Sequence, residues 1–127
     1  MSGLVVDTSI WIDFFSGFEV PVLEEALAAG TVVLPPIVVA ELVSGARDTK
    51  ARDQLRDLVL DLDVHPTPID HWVRVGELRR TLQSKGISIS TPDAHVAQCA
   101  LGRDAGLLGR DTIRQCRALS AIRSSIR

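Results

Sequence analysis

A chain of 127 residues, 46% of them hydrophobic, suits one domain with a buried core and excludes an intrinsically disordered polypeptide. Two cysteines, Cys99 and Cys116, are too few for a disulfide scaffold and match no zinc-finger spacing, so both are expected as free thiols of a reducing cytoplasm. A formal charge of −2 argues against a strongly basic nucleic-acid binder.

Leu4-Val5-Val6 is a short apolar run rich in β-branched residues, the mark of a buried parallel strand. Asp7-Thr8-Ser9 supplies N-cap side chains for a helix through Ile10–Phe15, stopped at Ser16-Gly17. Pro21 opens a second helix that ends on Gly30. Residues 31–34 read as the next strand, and Pro35-Pro36 breaks it and starts a helix toward Gly45. An amphipathic helix follows from Thr49 to Leu60, then a short edge strand at Leu62-Asp63-Val64. A longer helix from Ile69 or Asp70 to Gln83 places Trp72, Val75, Leu78 and Leu82 on one face. Thr91-Pro92-Asp93 starts another, through Leu101, and Gly106-Leu107-Leu108 is the last clear strand. A short helix at 112–118 and a strand or frayed tail at 121–126 complete the chain.

Strands alternating with helices predict an α/β fold with a mostly parallel central sheet covered on both faces, as a single domain over residues 1–127. No secretory or membrane-spanning segment is expected, since the longest uncharged stretch is cut by Gly30, Pro35 and Pro36. The protein is therefore expected to be soluble and cytoplasmic. Charge is unevenly spread: residues 1–46 hold six acids and no Lys or Arg, while Arg103 onward holds six arginines against two aspartates. That pattern suits an acidic site edged by a basic surface, or equally a solvated helix face with a basic tail.

Four acids stand at element ends: Asp7 after the first strand, Glu41 one turn into the third helix, Asp93 in a helix first turn, and Asp111 after the last strand. In open parallel sheets, ligand sites form at the carboxyl ends of strands. Carboxylates gathered there repel one another unless a cation compensates, and oxygen-only donors favour Mg²⁺ or Mn²⁺ over zinc. Such a cation points to chemistry on phosphate. Each acid also has a plainer reading: Asp7 and Asp111 as helix caps, Asp93 as a partner of the helix dipole, Glu41 as a solvated residue. The apolar neighbours of Glu41 argue against an exposed face there. His65, His71 and His95 are expected as packing or surface residues, Asp13 as a surface residue, and Trp11, Phe14 and Phe15 as core.

Val5-Val6-Asp7-Thr8-Ser9-Ile10-Trp11-Ile12-Asp13 resembles the opening motif of PIN-domain ribonucleases, especially the VapC toxins of toxin–antitoxin pairs. Val38-Val39-Ala40-Glu41-Leu42-Val43-Ser44-Gly45 resembles the second motif, Pro92-Asp93-Ala94-His95-Val96-Ala97 the third, and Leu107-Leu108-Gly109-Arg110-Asp111 the fourth. The resemblance implies a three-layer α/β/α sandwich and a site in which Asp7 and Asp93 hold Mg²⁺, with Glu41 and Asp111 completing the cup. It implies support of Asp7 by Thr8 or Ser9, and cleavage of tRNA, rRNA or mRNA by a metal-activated water. A VapB-like antitoxin partner, which one of Trp11, Phe14 and Phe15 would contact, and a homodimer are implied by the same likeness. Arg110, Arg114 and Arg117 are candidates for contact with RNA phosphates. The fourth motif departs from the family pattern at Gly109, Ile113 and Arg114. A catalytically impaired metal-binding module is therefore kept as another reading, and beside it a PIN-type nuclease acting on DNA.

Overall fold

The computed structural model describes residues 3–109; Asp111, the three candidate RNA-contacting arginines, Cys116 and the segments expected at 112–118 and 121–126 lie outside them. Four short strands, β1 (Leu4–Val6), β2 (Val32–Leu34), β3 (Asp63–Val64) and β4 (Gly106–Leu108), form one sheet in the order β3-β2-β1-β4. All pairings are parallel, with Leu4 beside both Val32 and Gly106. Val5, Val6 and all of β2 are buried, as expected of strands covered on both faces.

Parallel neighbours need long crossovers, and helices supply them. Between β1 and β2 run α1 (Thr8–Phe15) and α2 (Pro21–Ala29); α3 (Pro36–Ser44) and α4 (Thr49–Asp61) lead to β3; α5 (Ile69–Ser84) and α6 (Thr91–Arg103) return the chain to β4. The first two crossovers step away from β1 on one side, and the third jumps back to its other side. With right-handed crossovers, this reversal puts helices on both faces of the sheet, an α/β/α sandwich. It also makes the carboxyl ends of β1 and β4 the topological switch point.

Local sequence explains the element boundaries. Pro36 sits in the first turn of α3, where its missing N–H costs nothing, and Gly30 closes α2 in the left-handed region at φ 70°. Gly3 permits close approach: a Cβ there would lie 2.7 Å from the Thr31 carbonyl oxygen, where the chain enters β2. α6 is buried nearly all round, through Ala94, His95, Val96, Ala97, Cys99 and Ala100, so it is a central helix packed on the sheet and on α5.

One stripe differs from expectation. On α5 the buried residues are His71, Val75, Leu78 and Leu82, whereas Trp72 is 37% exposed. The spacing 71, 75, 78, 82 is a helical stripe, and it centres on a histidine that composition alone marks as polar.

Candidate active site

The backbone of Asp7 leaves β1 in an extended conformation, and its N–H donates to the Leu108 carbonyl at 2.9 Å, which ties it to the end of β4. Its carboxylate then caps α1: Oδ1 accepts from the Thr8 N–H at 2.8 Å, and Oδ2 accepts from the Ser9 hydroxyl at 3.5 Å. Helix α1 therefore begins at Thr8, two residues earlier than its apolar pattern suggests. The capping role and the site position fall on the same side chain.

Glu41 reaches this place from α3. The Thr8 hydroxyl donates to Glu41 Oε1 at 2.9 Å across 33 residues of sequence, so adjacent α1 residues grip two different acids. Glu41 is exposed, contrary to the expectation from its apolar neighbours. Val38 and Leu42, four residues apart, take the buried face of α3, which leaves Ala40, Glu41 and Ser44 outward. Asp93 arrives on the first turn of α6, where its N–H donates to the Ser90 hydroxyl at 3.2 Å.

Electrostatics show that the three acids share one region. Burial pushes the Asp7 carboxyl above the ordinary carboxylate range; the charges of Asp93 and Glu41 push it the same way, against the Thr8 N–H and Ser9 hydroxyl. An anionic Asp7 is thus held at a cost among like charges. Among the described residues, no three carboxylates bring their oxygens within 4.8 Å of one another. The donor set is oxygen-only and flanked by two hydroxyls, which fits a hard divalent cation such as Mg²⁺.

The sequence matches the PIN domain family over residues 4–118, nearly its whole length. The chain belongs to the PIN-domain family. No curated protein sequence matches it. Solved structures with the same fold include a chain of the VapBC-1 structure from nontypeable Haemophilus influenzae, at TM-score 0.73 and 20% identity, covering 92% of each chain. A chain of VapBC2 from Rickettsia felis, bound to a DNA fragment from its promoter, aligns at TM-score 0.73 and 23% identity over 91% of this chain and 92% of that one. A chain of DNA-bound VapBC from Salmonella typhimurium aligns at TM-score 0.62 and 24% identity, over 84% and 83%. PIN domains are generally nucleases, and in this PIN domain Glu41 and Asp93 lie near Asp7 at the switch point of the sheet.

A second constellation lies among the histidines expected as packing or surface residues. His71 and His95 are buried, and with half-buried His65 and buried Cys99 they form a contiguous polar cluster. Two signals point to it: the place of His71 in the α5 stripe, and the one-turn spacing of His95 and Cys99 on an otherwise apolar helix. The other expectations divide: Trp11 is core, Phe14 is half-buried, and Phe15 is 45% exposed. Cys99 is a free thiol. No helix among the described residues is long and apolar enough to cross a membrane.

Proposed function

We propose that the chain is a divalent-metal-dependent endoribonuclease, the VapC-like toxin of a type II toxin–antitoxin pair. The observation that carries this is the convergence of Asp7, Glu41 and Asp93 at the switch point of a PIN fold, with Asp7 destabilised as an anion first by burial and then by the two neighbouring acids. In this reading Asp7 and Asp93 hold Mg²⁺ or Mn²⁺, Glu41 and Asp111 complete the cup, and Arg110, Arg114 and Arg117 meet RNA phosphates. The bound cation would lower the pKa of a water and neutralise charge on the phosphodiester. The chain's own residues do the positioning. Thr8 fixes the Glu41 carboxylate through its hydroxyl and the Asp7 carboxylate through its N–H, so the acids enter the site pre-ordered. Because water is the nucleophile, the RNA 2′-hydroxyl is not needed for attack.

The test uses purified protein with matched RNA and DNA oligonucleotides, tRNA and ribosomal RNA, in Mg²⁺ or in chelator. Cleavage of RNA that chelator abolishes supports the reading. Cleavage that persists in chelator overturns the mechanism, and cleavage of DNA alone moves the protein to the second nuclease reading.

The partner reading rests on exposed apolar residues around α1 and α2. Ile12, Phe15, Phe18 and Val22 are between 45% and 66% exposed, a concentration that suits the apolar face of a VapB-like antitoxin. Of the three aromatics considered for this role, Phe15 is the exposed one. Co-expression with the antitoxin should give a complex that Phe15→Asp and Phe18→Asp disrupt. A homodimer is part of the same proposal, and light scattering of the isolated protein decides it.

A further inference from the structure

We propose that His65, His71 and Cys99 form a second metal site, independent of the acidic one, that takes Zn²⁺. One ring nitrogen from each histidine and the Cys99 sulfur lie within 4.8 Å of one another. Around a tetrahedral zinc such atoms stand about 3.4–3.6 Å apart, so closure needs side-chain movements on the order of 1 Å. Two imidazoles and a thiolate are the borderline-soft donors that select zinc, whereas the oxygen donors of the acidic site select Mg²⁺ or Mn²⁺. Cysteine spacing alone could not reveal the site, because its ligands come from three separate elements.

The three ligands sit on a rigid frame. His65 follows β3 directly, its N–H donating to the Leu34 carbonyl at 3.0 Å. His71 lies in the first turn of α5, and Cys99 lies in α6 beyond His95. His95 contacts two of them, with Nδ1 2.8 Å from His71 Nε2 and Nε2 3.9 Å from Cys99 Sγ, and the same Nε2 accepts from the Ile37 N–H at 3.5 Å. Trp72 stacks on His95 at 4.6 Å and 9°, which fixes that ring in turn. Partners of this kind orient metal ligands and raise their affinity.

A buried polar cluster can also be an ordinary hydrogen-bond network, but this one is incomplete. Among the described residues His65 Nδ1 is buried with no hydrogen-bond partner, and such atoms are rare in folded proteins. Burial pushes the Cys99 thiol up to about 12, so the free protein carries its proton, which passes to solvent when the ion binds. Arg103 near His65 and Arg74 near His71 are cations that oppose an ion here, and their pairings with Asp63 and Asp70 offset those charges. Half-buried His65 provides the way in. A bound ion would clip the start of α5 to α6, the helix that carries Asp93.

The test titrates chelator-stripped Cys116→Ser protein with Co²⁺, then displaces it with Zn²⁺. A thiolate-to-cobalt charge-transfer band that saturates at one ion per chain is expected. Cys99→Ser should abolish the band, and His65→Gln, a change at a half-buried ligand, should weaken Co²⁺ binding by roughly 100-fold. Asp7→Asn should leave the band unchanged, which separates this site from the acidic one. Zn²⁺ at a hundred-fold excess over Kd should raise the thermal midpoint by roughly 5–10 °C. Absence of the band, its survival in Cys99→Ser, or its loss in Asp7→Asn overturns the proposal.

Discussion

The acidic region and the histidine–cysteine cluster lie on different sides of α6 near its start, and they solve opposite problems. Asp93 and His95 are two residues apart on one helix, so their side chains diverge: Asp93 is exposed and His95 is fully buried. At the acidic end, like charges are gathered and held by Thr8 and Ser9 against their repulsion. At the buried end the groups are neutral and bind one another. The first arrangement costs stability, whereas the second contributes stability so long as its members stay uncharged.

The contrast can be broken by mutation. Asp93→Asn removes a proposed metal ligand and should lower RNA cleavage by more than roughly 100-fold, since even supporting residues of metal sites cost about 10–100-fold. Circular dichroism should show an unchanged fold, and an unfolded variant would mean that Asp93 is structural. His95→Ala should do the reverse. It leaves a cavity beneath Trp72 and strands His71 Nε2, at a cost of about 2–4 kcal/mol in urea unfolding.

Acidification sharpens the comparison. His65, His71 and His95 all titrate below the ordinary histidine range, His95 at about 4, chiefly through burial; the neighbouring histidines add to the effect at His65 and His95, Arg74 at His71 and Arg103 at His65, where Asp63 opposes it. A depressed histidine contributes stability that is complete above its unfolded pKa and is lost as pH falls through the folded one. Unfolding free energy should therefore decline between pH of about 6.5 and about 4. A flat profile in that window would contradict a neutral cluster.

Two smaller effects probe the acidic end. Thr8→Val keeps the shape and deletes the hydroxyl on Glu41, and should reduce cleavage by roughly ten-fold, the equivalent of about 1.4 kcal/mol, with RNA affinity little changed. The raised pKa of Asp7 means that its ionisation lowers stability once pH rises through the folded value. Asp7→Asn retains a good helix cap and should raise the thermal midpoint of metal-free protein at neutral pH by a few degrees. A fall would show that the carboxylate is stabilising after all.

Much of this was legible in the chain because local signals agree with tertiary ones. β1 and β2 are apolar runs that need burial on both faces, and the prolines at 21, 36 and 92 each sit in the first turn of a helix. Burial of particular side chains was less legible. Glu41 looked enclosed by apolar neighbours, but a helix turns every fourth residue to the same face, and Val38 and Leu42 claim the inner one. Trp72 looked like the natural core residue of α5, yet the stripe through Val75, Leu78 and Leu82 starts at His71. Which stripe wins depends on what α6 presents, and α6 presents His95. Such a match between distant polar residues has no local signature.

The pairing of β1 has a consequence for timing. Leu4 and Val6 must meet Gly106 and Leu108, about a hundred residues later in the chain, so the central strand is closed by one of the most sequence-distant contacts in the fold. Ribosomes emit about 5–20 residues per second, and Asp7 cannot be tied to Leu108 before both have emerged. Synthesis thus has a built-in delay: the nascent chain passes several seconds, on that estimate, with its first acid made and its site unassembled.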